Sequence, residues 1–203
     1  MDLPLDISTI KGFLSDDEAQ ALYEAAQTES GKGAVLEIGS YCGKSTVVMG
    51  AACQRNGSVL YAVDHHRGSE EHQKGEFFHD PDLYDEADEQ FDSFREFRRN
   101  IAQAGLHDTV VPLVASSEVA SRHWNTPLAM VFIDGGHSLE AALTDYHCWA
   151  SHVMRGGILA IHDIFEKPEE GGQAPLAIYK LALASGLFET LERASSLVLL
   201  RRH

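Results

Sequence analysis

Residues 35–46 read VLEIGSYCGKST, and the rest of the chain is organised around this stretch. Residues 34–38 form an apolar run that suits a strand buried on both faces, where polar and apolar residues need not alternate. Two glycines follow, and apolar residues then recur at helical spacing over residues 47–52. Strand, glycine turn and helix start are typical of a nucleotide-type site. Glycine lets the backbone approach a ligand, and the helix start offers free N–H groups.

The spacing of the glycines separates the classes of nucleotide site. A phosphate-binding P-loop has four residues between its glycines, followed by Lys and Ser or Thr, but only three residues separate Gly39 from Gly43. The dinucleotide pattern G-x-G-x-x-G is also absent, because a tyrosine occupies the place of its second glycine. Glu37 would repel a polyphosphate and attract a cation. A P-loop-like nucleoside triphosphatase is therefore the less favoured alternative, supported only by the Gly-Lys-Ser tail of the stretch and a later strand that ends in an acid.

The segment EIGSYCGKS at residues 37–45 resembles the first motif of class I S-adenosylmethionine-dependent methyltransferases, in its catechol O-methyltransferase form. The ligand of that family carries a sulfonium and an ammonium group, which suits an acidic loop. The resemblance implies S-adenosylmethionine as the cofactor. In this loop it implies five cofactor-binding residues: Glu37, Gly39, Tyr41, Gly43 and Ser45. The alternative is an ordinary glycine turn in another α/β protein.

Composition narrows the class of protein. The chain has 203 residues and 44% hydrophobic residues, which suits one domain with a sizeable core. A net charge of −15 disfavours nucleic acid and anionic membrane as partners. Three widely spaced cysteines predict reduced thiols, and no stretch approaches the roughly 20 apolar residues of a membrane span. The beginning of the chain does not resemble a signal peptide. We therefore expect a cytoplasmic protein, and a homo-oligomer is compatible with these properties.

Strand and helix patterns alternate along the chain. Residues 15–18 form a capping box that opens a helix ending near residue 28, within an N-terminal helical segment of residues 1–30. Further helices are expected after the glycine turn, at residues 86–104, from residue 138 on, and at 174–184. The helix from residue 138 should bury Leu139, Ala142, Leu143, Tyr146, Trp149 and Val153. Strands are expected at residues 34–38, 58–63, 109–114, 128–133, 158–161, 187–191 and 197–200.

This order predicts a single α/β domain over residues 1–203. Five strand–helix units and a C-terminal antiparallel hairpin give a Rossmann-like, seven-stranded, mostly parallel sheet with helices on both faces. Residues 65–85 interrupt the pattern with an irregular polar insertion that holds four histidines, His65, His66, His72 and His79, together with Phe77 and Phe78. Their spacing matches no standard zinc site. Long loops in compact domains are usually functional or disordered, so we expect an active-site lid here.

Polar residues follow the predicted strands where the carboxyl ends of parallel strands meet. Asp64 ends the second strand about twenty residues after the glycine loop, where nucleotide folds hold ribose hydroxyls. Ser116 and Ser117 follow the third strand, where the loop of the resembled family passes the adenine. Their hydroxyls could bind the base, and one of them could equally cap a helix.

The fourth and fifth strands end in Asp134, His137, His162 and Asp163. Right-handed crossovers bring these strand ends to one edge. The segments IDGGH and IHDIF resemble metal-dependent O-methyltransferases, including those acting on sugars in antibiotic biosynthesis, in which acids at these places hold the ion. Asp134 and Asp163 are therefore the expected ligands of Mg²⁺ or Mn²⁺. His162 stands where those relatives carry an acid or an amide; it either ligates the ion, favouring metals softer than Mg²⁺, or lies outside its ligands.

The resemblance thus implies an S-adenosylmethionine-dependent O-methyltransferase. A divalent ion would lower the pKa of an acceptor hydroxyl. His137, three residues after Asp134, is the predicted general base, unless it only hydrogen-bonds at the helix start. Asp134 is expected to serve both catalysis and cofactor binding. A hydroxyl of a sugar or oligosaccharide is the first choice of acceptor, and a phenol or catechol is the second.

Overall fold

The computed structural model of the protein describes residues 1–69, 80–86 and 88–203. The helices of this part of the chain are α1 Asp16–Glu29, α2 Lys44–Arg55, α3 Phe94–Gln103, α4 Ser117–Ala120, α5 Leu139–Trp149 and α6 Ala174–Ala184. The strands are β1 Ala34–Ile38, β2 Leu60–Val63, β3 Tyr84–Asp85, β4 Gln90–Phe91, β5 Val110–Leu113, β6 Leu128–Ile133, β7 Val153–Ile161, β8 Phe188–Ala194 and β9 Leu197–Arg202. None of the described helices is long and apolar enough to cross a membrane.

The predicted sheet is confirmed. Seven strands lie in the order β5-β2-β1-β6-β7-β9-β8. The pairs from β5 to β7 are all parallel, and β9 runs antiparallel to both β7 and β8, as expected of a C-terminal hairpin. The sequence order of the strands reverses at β1, since β2 lies on one side of it and β6 on the other. A ligand crevice forms at such a switch point in open α/β sheets.

The central strands are buried because helices cover both faces of the sheet. All six residues of β6 and four of the five residues of β1 are buried, which explains why neither strand shows alternating polarity. On one face the core packs around Leu22, Met49 and Phe97. On the other face it packs around Trp149 and Ile178.

Helix α1 begins with the predicted capping box. Ser15 Oγ accepts a hydrogen bond from Glu18 N at 3.4 Å, and Glu18 Oε2 accepts one from Ser15 N at 2.9 Å. The helix also contacts the C-terminal hairpin: Arg201 Nη1 lies 2.7 Å from Glu29 Oε1. The N-terminal segment is therefore fastened to the last strands of the sheet.

Two predicted boundaries and one predicted buried residue are wrong. Helix α3 begins at Phe94 rather than at residue 86, because Gln90–Phe91 pairs as a strand with Tyr84–Asp85. Strand β7 begins at Val153, ahead of the glycine pair, and this places Val153 in the sheet rather than on the preceding helix. Leu139 in the first turn of α5 is 54% exposed, whereas the predicted face of that helix buries Ala142, Tyr146 and Trp149 as expected.

The proposed lid falls only partly within the described residues. His65 and His66 are described, and residues 81–83 form a 3-10 turn before β3. The predictions for His72, Phe77, Phe78 and His79 lie outside the described residues.

Candidate active site

A cleft of about 620 Å³ lies at the carboxyl ends of the parallel strands. It is lined by the turn after β1, the end of β2, the loop before α4 and the loops after β6 and β7. The N-terminal residues 11–14 form part of its rim. Of the predicted site residues, ten line this cleft: Gly39, Tyr41, Ser45, Asp64, Ser116, Ser117, Asp134, His137, His162 and Asp163. Glu37 and Gly43 do not reach its wall.

The turn after β1 requires glycine for two different reasons. Gly39 has φ +87°, and a Cβ placed there would lie 1.9 Å from the carbonyl oxygen of Asp134. Gly43 has φ +91° at the N-cap of α2, where a Cβ would lie 3.2 Å from the Phe97 ring. Tyr41 between them has φ +44°, a left-handed conformation that costs free energy for a residue with a side chain. The turn therefore packs directly against the loop after β6.

Glu37 lies beneath this turn rather than on the cleft wall. Its side chain is fully buried and accepts hydrogen bonds from Ser45 Oγ and, at 2.5 Å, from Thr46 Oγ1. Burial raises the pKa of Glu37 to about 8; the two hydroxyls oppose this rise, and the neighbouring Asp134 and Asp64 add to it. The carboxyl is thus protonated at neutral pH, and a cation in the cleft would favour its ionisation.

Asp64 connects two loops at the cleft. Its Oδ2 accepts a hydrogen bond from Tyr41 N at 2.8 Å, and its Oδ1 accepts one from His66 N at 2.7 Å. His66 is itself buried, with Nδ1 2.9 Å from Ser93 Oγ and its ring centroid 4.9 Å from that of Phe94 and 5.2 Å from that of Phe97. Each carboxylate oxygen accepts more than one hydrogen bond, so Asp64 can still accept from ligand hydroxyls.

The two predicted serines have different surroundings. Ser117 Oγ donates to Asp145 Oδ1 at 2.5 Å and accepts from Trp149 Nε1 at 3.0 Å. Ser116 occupies the N-cap of α4 but its side chain makes no capping hydrogen bond. Asp145 also lines the cleft, and burial raises its pKa to about 6. Sequence reasoning missed Asp145, although an acid between Ala142 and Trp149 on the apolar face of α5 was a usable signal.

Two histidines and two aspartates meet where β6 and β7 end. His137 Nε2 lies 2.9 Å from Asp163 Oδ2. His162 Nδ1 lies 3.0 Å from Asp134 Oδ1 and 3.4 Å from Asp163 Oδ1. Asp163 takes φ +58°, so its strand end turns sharply. The tertiary structure thus brings together the four residues that the sequence places at two strand ends.

A fifth residue, Glu18 of α1, joins this cluster and was missed by sequence reasoning. His162 Nε2 lies 3.3 Å from Glu18 Oε2, at ion-pair distance but not aligned for a hydrogen bond. Burial alone would lower the pKa of His162, but Asp134, Asp163 and Glu18 raise it to about 12. Burial would likewise raise the pKa of Glu18, and His162 and Ser196 hold it below its ordinary value instead. No signal in the sequence connects α1 with this edge of the sheet.

The cluster offers a donor set that a divalent ion can use. One atom each from Asp134, His162 and Asp163 can be chosen so that all lie within 4.8 Å of one another. Adjacent ligands of an octahedral ion with bonds of about 2.1 Å lie about 3 Å apart, close to the His162–Asp134 separation. Two carboxylates and an imidazole suit Mn²⁺, Fe²⁺ or Zn²⁺ better than Mg²⁺. The residues therefore fit an ion, provided that His162 gives up the proton on Nδ1.

Lysines hold the N-terminal segment at the rim of the cleft. Lys44 Nζ donates to the carbonyl oxygen of Gly12 at 2.9 Å. Lys11 Nζ lies 2.6 Å from Asp80 and 2.8 Å from Asp82, which belong to the last part of the predicted lid. Lys44 thus has a structural partner in the rim.

Comparison with known proteins gives a family and a fold. The profile of a family described as "Methyltransferase domain" matches residues 36–164. Among solved structures, the O-methyltransferase NovP is similar with a TM-score of 0.69 at 17% identity, covering 92% of this chain and 79% of that one. The O-methyltransferase TomG from Streptomyces achromogenes, in complex with S-adenosylmethionine, has a TM-score of 0.65 at 12% identity, covering 94% and 81%. An O-methyltransferase from Bacillus cereus, in complex with S-adenosylhomocysteine, has a TM-score of 0.63 at 17% identity, covering 97% and 86%.

Proposed function

Because the chain belongs to the methyltransferase-domain family, we propose that it is an S-adenosylmethionine-dependent O-methyltransferase. One observation carries this proposal: the glycine turn, Asp64 and the cluster around Asp134 all line a single cleft. A volume of about 620 Å³ can hold a nucleoside-sized ligand together with a small second substrate. The cofactors bound in the structures of TomG and of the Bacillus cereus enzyme support the same choice of ligand.

The proposed cofactor site extends from the glycine turn to the loop before α4. The positive charges of S-adenosylmethionine would favour ionisation of Glu37 beneath the turn, and the carboxylate would then attract them. Asp64 would accept hydrogen bonds from ribose hydroxyls while it holds the backbone of Tyr41. Ser116 and Asp145, which line the cleft, would then face the base.

We assign the acceptor side of the cleft to the acid–histidine cluster. A divalent ion held by Asp134, His162 and Asp163 would supply Lewis acidity that makes an acceptor hydroxyl easier to deprotonate. His137 would take the proton. In the tautomer that carries its own proton on Nε2, His137 donates to Asp163 Oδ2, 2.9 Å away, and Nδ1 is the basic atom. The neighbouring carboxylate then stabilises the imidazolium formed during the reaction.

A sugar or oligosaccharide hydroxyl is the proposed acceptor. The support is the likeness of the IDGGH segment to sugar-modifying enzymes, together with the polar lining that Ser69, His65 and Lys44 add to the cleft. Phe13 and Phe91 also line it, and their rings could stack on a sugar or on a phenol. Phenols are therefore included in the test. A cytoplasmic location, expected from the cysteines, stays a prediction.

The proposal is tested by isothermal titration with S-adenosylmethionine and S-adenosylhomocysteine, in EDTA and then with Mg²⁺ or Mn²⁺. We expect both ligands to bind without metal, because the proposed cofactor site contains no ligand of the ion except Asp134. Methyl transfer to a panel of sugars and phenols should then require the ion. Failure of both cofactors to bind, with tight binding of ATP and Mg²⁺, would overturn the proposal in favour of a nucleoside triphosphatase.

A further inference from the structure

We propose that Glu18 of α1 orients His162 so that His162 Nδ1 acts as the third protein ligand of the divalent ion, beside Asp134 and Asp163. The inference rests on the proposed function, which places an ion in this cluster. It assigns Glu18 as a positioning residue, acting through His162 rather than touching the ion.

Four hydrogen bonds hold the Glu18 carboxylate in place. Its Oε1 accepts from Ser196 N at 3.0 Å and from Ser196 Oγ at 2.7 Å. Its Oε2 accepts from Ser15 N and from Ser15 Oγ, both at 2.9 Å. The donors belong to the start of α1 and to the turn between β8 and β9, and Glu18 is 4% exposed. In a capping box the glutamate side chain reaches back to the N-cap of its own helix. Glu18 does this and is also held by Ser196, which lies in another part of the domain.

The fixed carboxylate faces one nitrogen of His162 and leaves the other for the ion. Glu18 Oε2 lies 3.3 Å from His162 Nε2, and His162 Nδ1 faces Asp134 and Asp163 on the opposite side of the ring. With an ion held by Asp134 and Asp163, those carboxylates would no longer accept a hydrogen bond from Nδ1. Glu18 would then be the carboxylate that faces the ring nitrogen away from the ion, and it would favour the tautomer with the proton on Nε2 and a lone pair on Nδ1. Histidine ligands in proteins usually have a carboxylate or carbonyl at their other N–H, and Glu18 lies at that nitrogen at ion-pair distance.

The arrangement also predicts which ions the site prefers. Two carboxylates and a nitrogen ligand favour Mn²⁺, Fe²⁺ or Zn²⁺ over Mg²⁺, whereas an acid at position 162 would favour Mg²⁺. His162 is 4% exposed, and the Phe132 ring lies 6.2 Å from its own ring, centroid to centroid. Because the imidazole is buried, the packing around it restricts its rotation. Glu18 and the packing together therefore give the site a preformed nitrogen ligand.

The test is Mn²⁺ binding by the whole protein, measured by isothermal titration in variants with folding checked by circular dichroism. Glu18→Gln removes the charge that faces His162 while keeping the side-chain volume. We expect its Mn²⁺ affinity to fall about 10- to 100-fold, the usual effect of losing such a partner. Glu29→Gln is the matched control, because Glu29 is a buried acid of the same helix, paired with Lys32 and Arg201 instead of the cluster. The Mn²⁺ affinity of Glu29→Gln should stay within about twofold of that of the unchanged protein, because large losses are expected only where a partner of a metal ligand is removed.

A second comparison separates orientation from a general structural role. In a His162→Asn background, Glu18→Gln should cause no further loss of Mn²⁺ affinity, because there is no imidazole left to orient. Nuclear magnetic resonance of the ¹⁵N-histidine-labelled protein with Zn²⁺ should show a metal-bound Nδ1 and a protonated Nε2 on His162. If Glu18→Gln does not fold, His162→Asn alone must still lose at least about tenfold in Mn²⁺ affinity.

The results separate the role of Glu18, the presence of a metal site and the identity of the cofactor. Unchanged Mn²⁺ affinity in folded Glu18→Gln, or in His162→Asn, overturns the role of Glu18. Absence of any Mn²⁺ binding by the unchanged protein overturns both this inference and the metal-assisted part of the proposed function. Binding of S-adenosylmethionine is measured separately in EDTA, so failure of the proposed cofactor is distinguishable from failure of the metal site.

Discussion

Single residues of this site ionise according to what surrounds them. Glu37 is buried with two hydroxyl donors, and burial raises its pKa to about 8. Asp163 is also mostly buried, which would raise its pKa, but His137 and His162 lower that pKa below its ordinary value. Glu37 beneath the cleft and Asp163 on its wall therefore favour opposite protonation states at neutral pH, and the raised pKa of Glu37 carries the first prediction.

Replacing Glu37 by Gln should change how stability depends on pH. In the unchanged protein the native state binds the Glu37 proton more tightly than the unfolded state, since its folded pKa of about 8 exceeds the ordinary 4.5. Its contribution to stability is therefore full below pH 4.5 and is lost as the pH rises toward 8. Relative to the Gln variant, we expect the loss to be about 1.4 kcal/mol per pH unit in this window. Urea unfolding of both proteins at pH 5.5 and 7.5 measures it, and parallel curves would contradict the assignment.

Asp64→Ala should weaken binding of S-adenosylmethionine without much effect on the turnover at saturating cofactor. The carboxylate accepts from the backbone of Tyr41 and His66 and, as proposed, from the ribose. Loss of hydrogen bonds to a charged group costs about 1.5–3 kcal/mol, so we expect the dissociation constant to rise about 10- to 100-fold. Asp64→Asn keeps one carbonyl acceptor, so its dissociation constant should lie between those of the unchanged protein and Asp64→Ala. A defect confined to turnover would exclude the ribose assignment.

His137→Ala should lower turnover by about 10²- to 10⁴-fold, the usual contribution of a general base, and leave cofactor affinity unchanged. The measurement is the rate of methyl transfer at saturating cofactor and acceptor, with affinity determined by titration. His107→Ala is a control, because that histidine is largely exposed beside Asp108 and does not line the cleft. Equal rates for His137→Ala and the unchanged protein would remove His137 from the mechanism.

At the scale of elements, the contact between two loops holds the site together. The turn after β1 touches the loop after β6, so Gly39→Ala must displace the backbone at Asp134, 1.9 Å from the added carbon. Gly57 provides the comparison, because it has a similar left-handed φ of +62° at the end of α2 with nothing within 4 Å. Gly57→Ala should cost only about 1–2 kcal/mol of stability and keep cofactor binding. Gly39→Ala should lower the free energy of unfolding clearly more than Gly57→Ala and should abolish cofactor binding. Urea unfolding measures the stability and isothermal titration measures the binding. Equal stability losses and intact cofactor binding in both variants would show that the contact is unimportant.

At the scale of the whole molecule, α1 fastens the ends of the chain to each other. Glu18 accepts from Ser196, and Glu29 pairs with Arg201, so the first helix is bound to the last hairpin. Both faces of the sheet share the buried strands β1 and β6. We therefore expect equilibrium unfolding in urea to be one cooperative transition.

Tryptophan fluorescence and far-ultraviolet circular dichroism provide the measurement for this cooperativity. Trp124 and Trp149 both lie on the α5 face, whereas circular dichroism reports on the helices of both faces. Coincident midpoints are expected for a two-state transition. Separate midpoints would mean that the two faces unfold independently.

Local sequence patterns were sufficient to predict much of the fold. The glycine turn, the capping box at Ser15 and the order of apolar segments depend on neighbouring residues only, and they predicted the seven-stranded sheet and nearly every helix. The same local pattern placed the start of α3 too early, because the pairing of Tyr84–Asp85 with Gln90–Phe91 depends on a chain reversal that helical periodicity does not register.

The sequence by itself determined the α/β architecture and the set of strand ends at which the cleft forms, because hydrophobic periodicity and parallel crossovers follow from local spacing. Only the tertiary structure decided which groups face each other there. It buried Glu37, placed Asp145 against Ser117 and brought Glu18 to His162 from the far end of the chain. These contacts determine the protonation and the orientation of the side chains in the site. They join residues that are far apart in sequence, so spacing along the chain does not encode them.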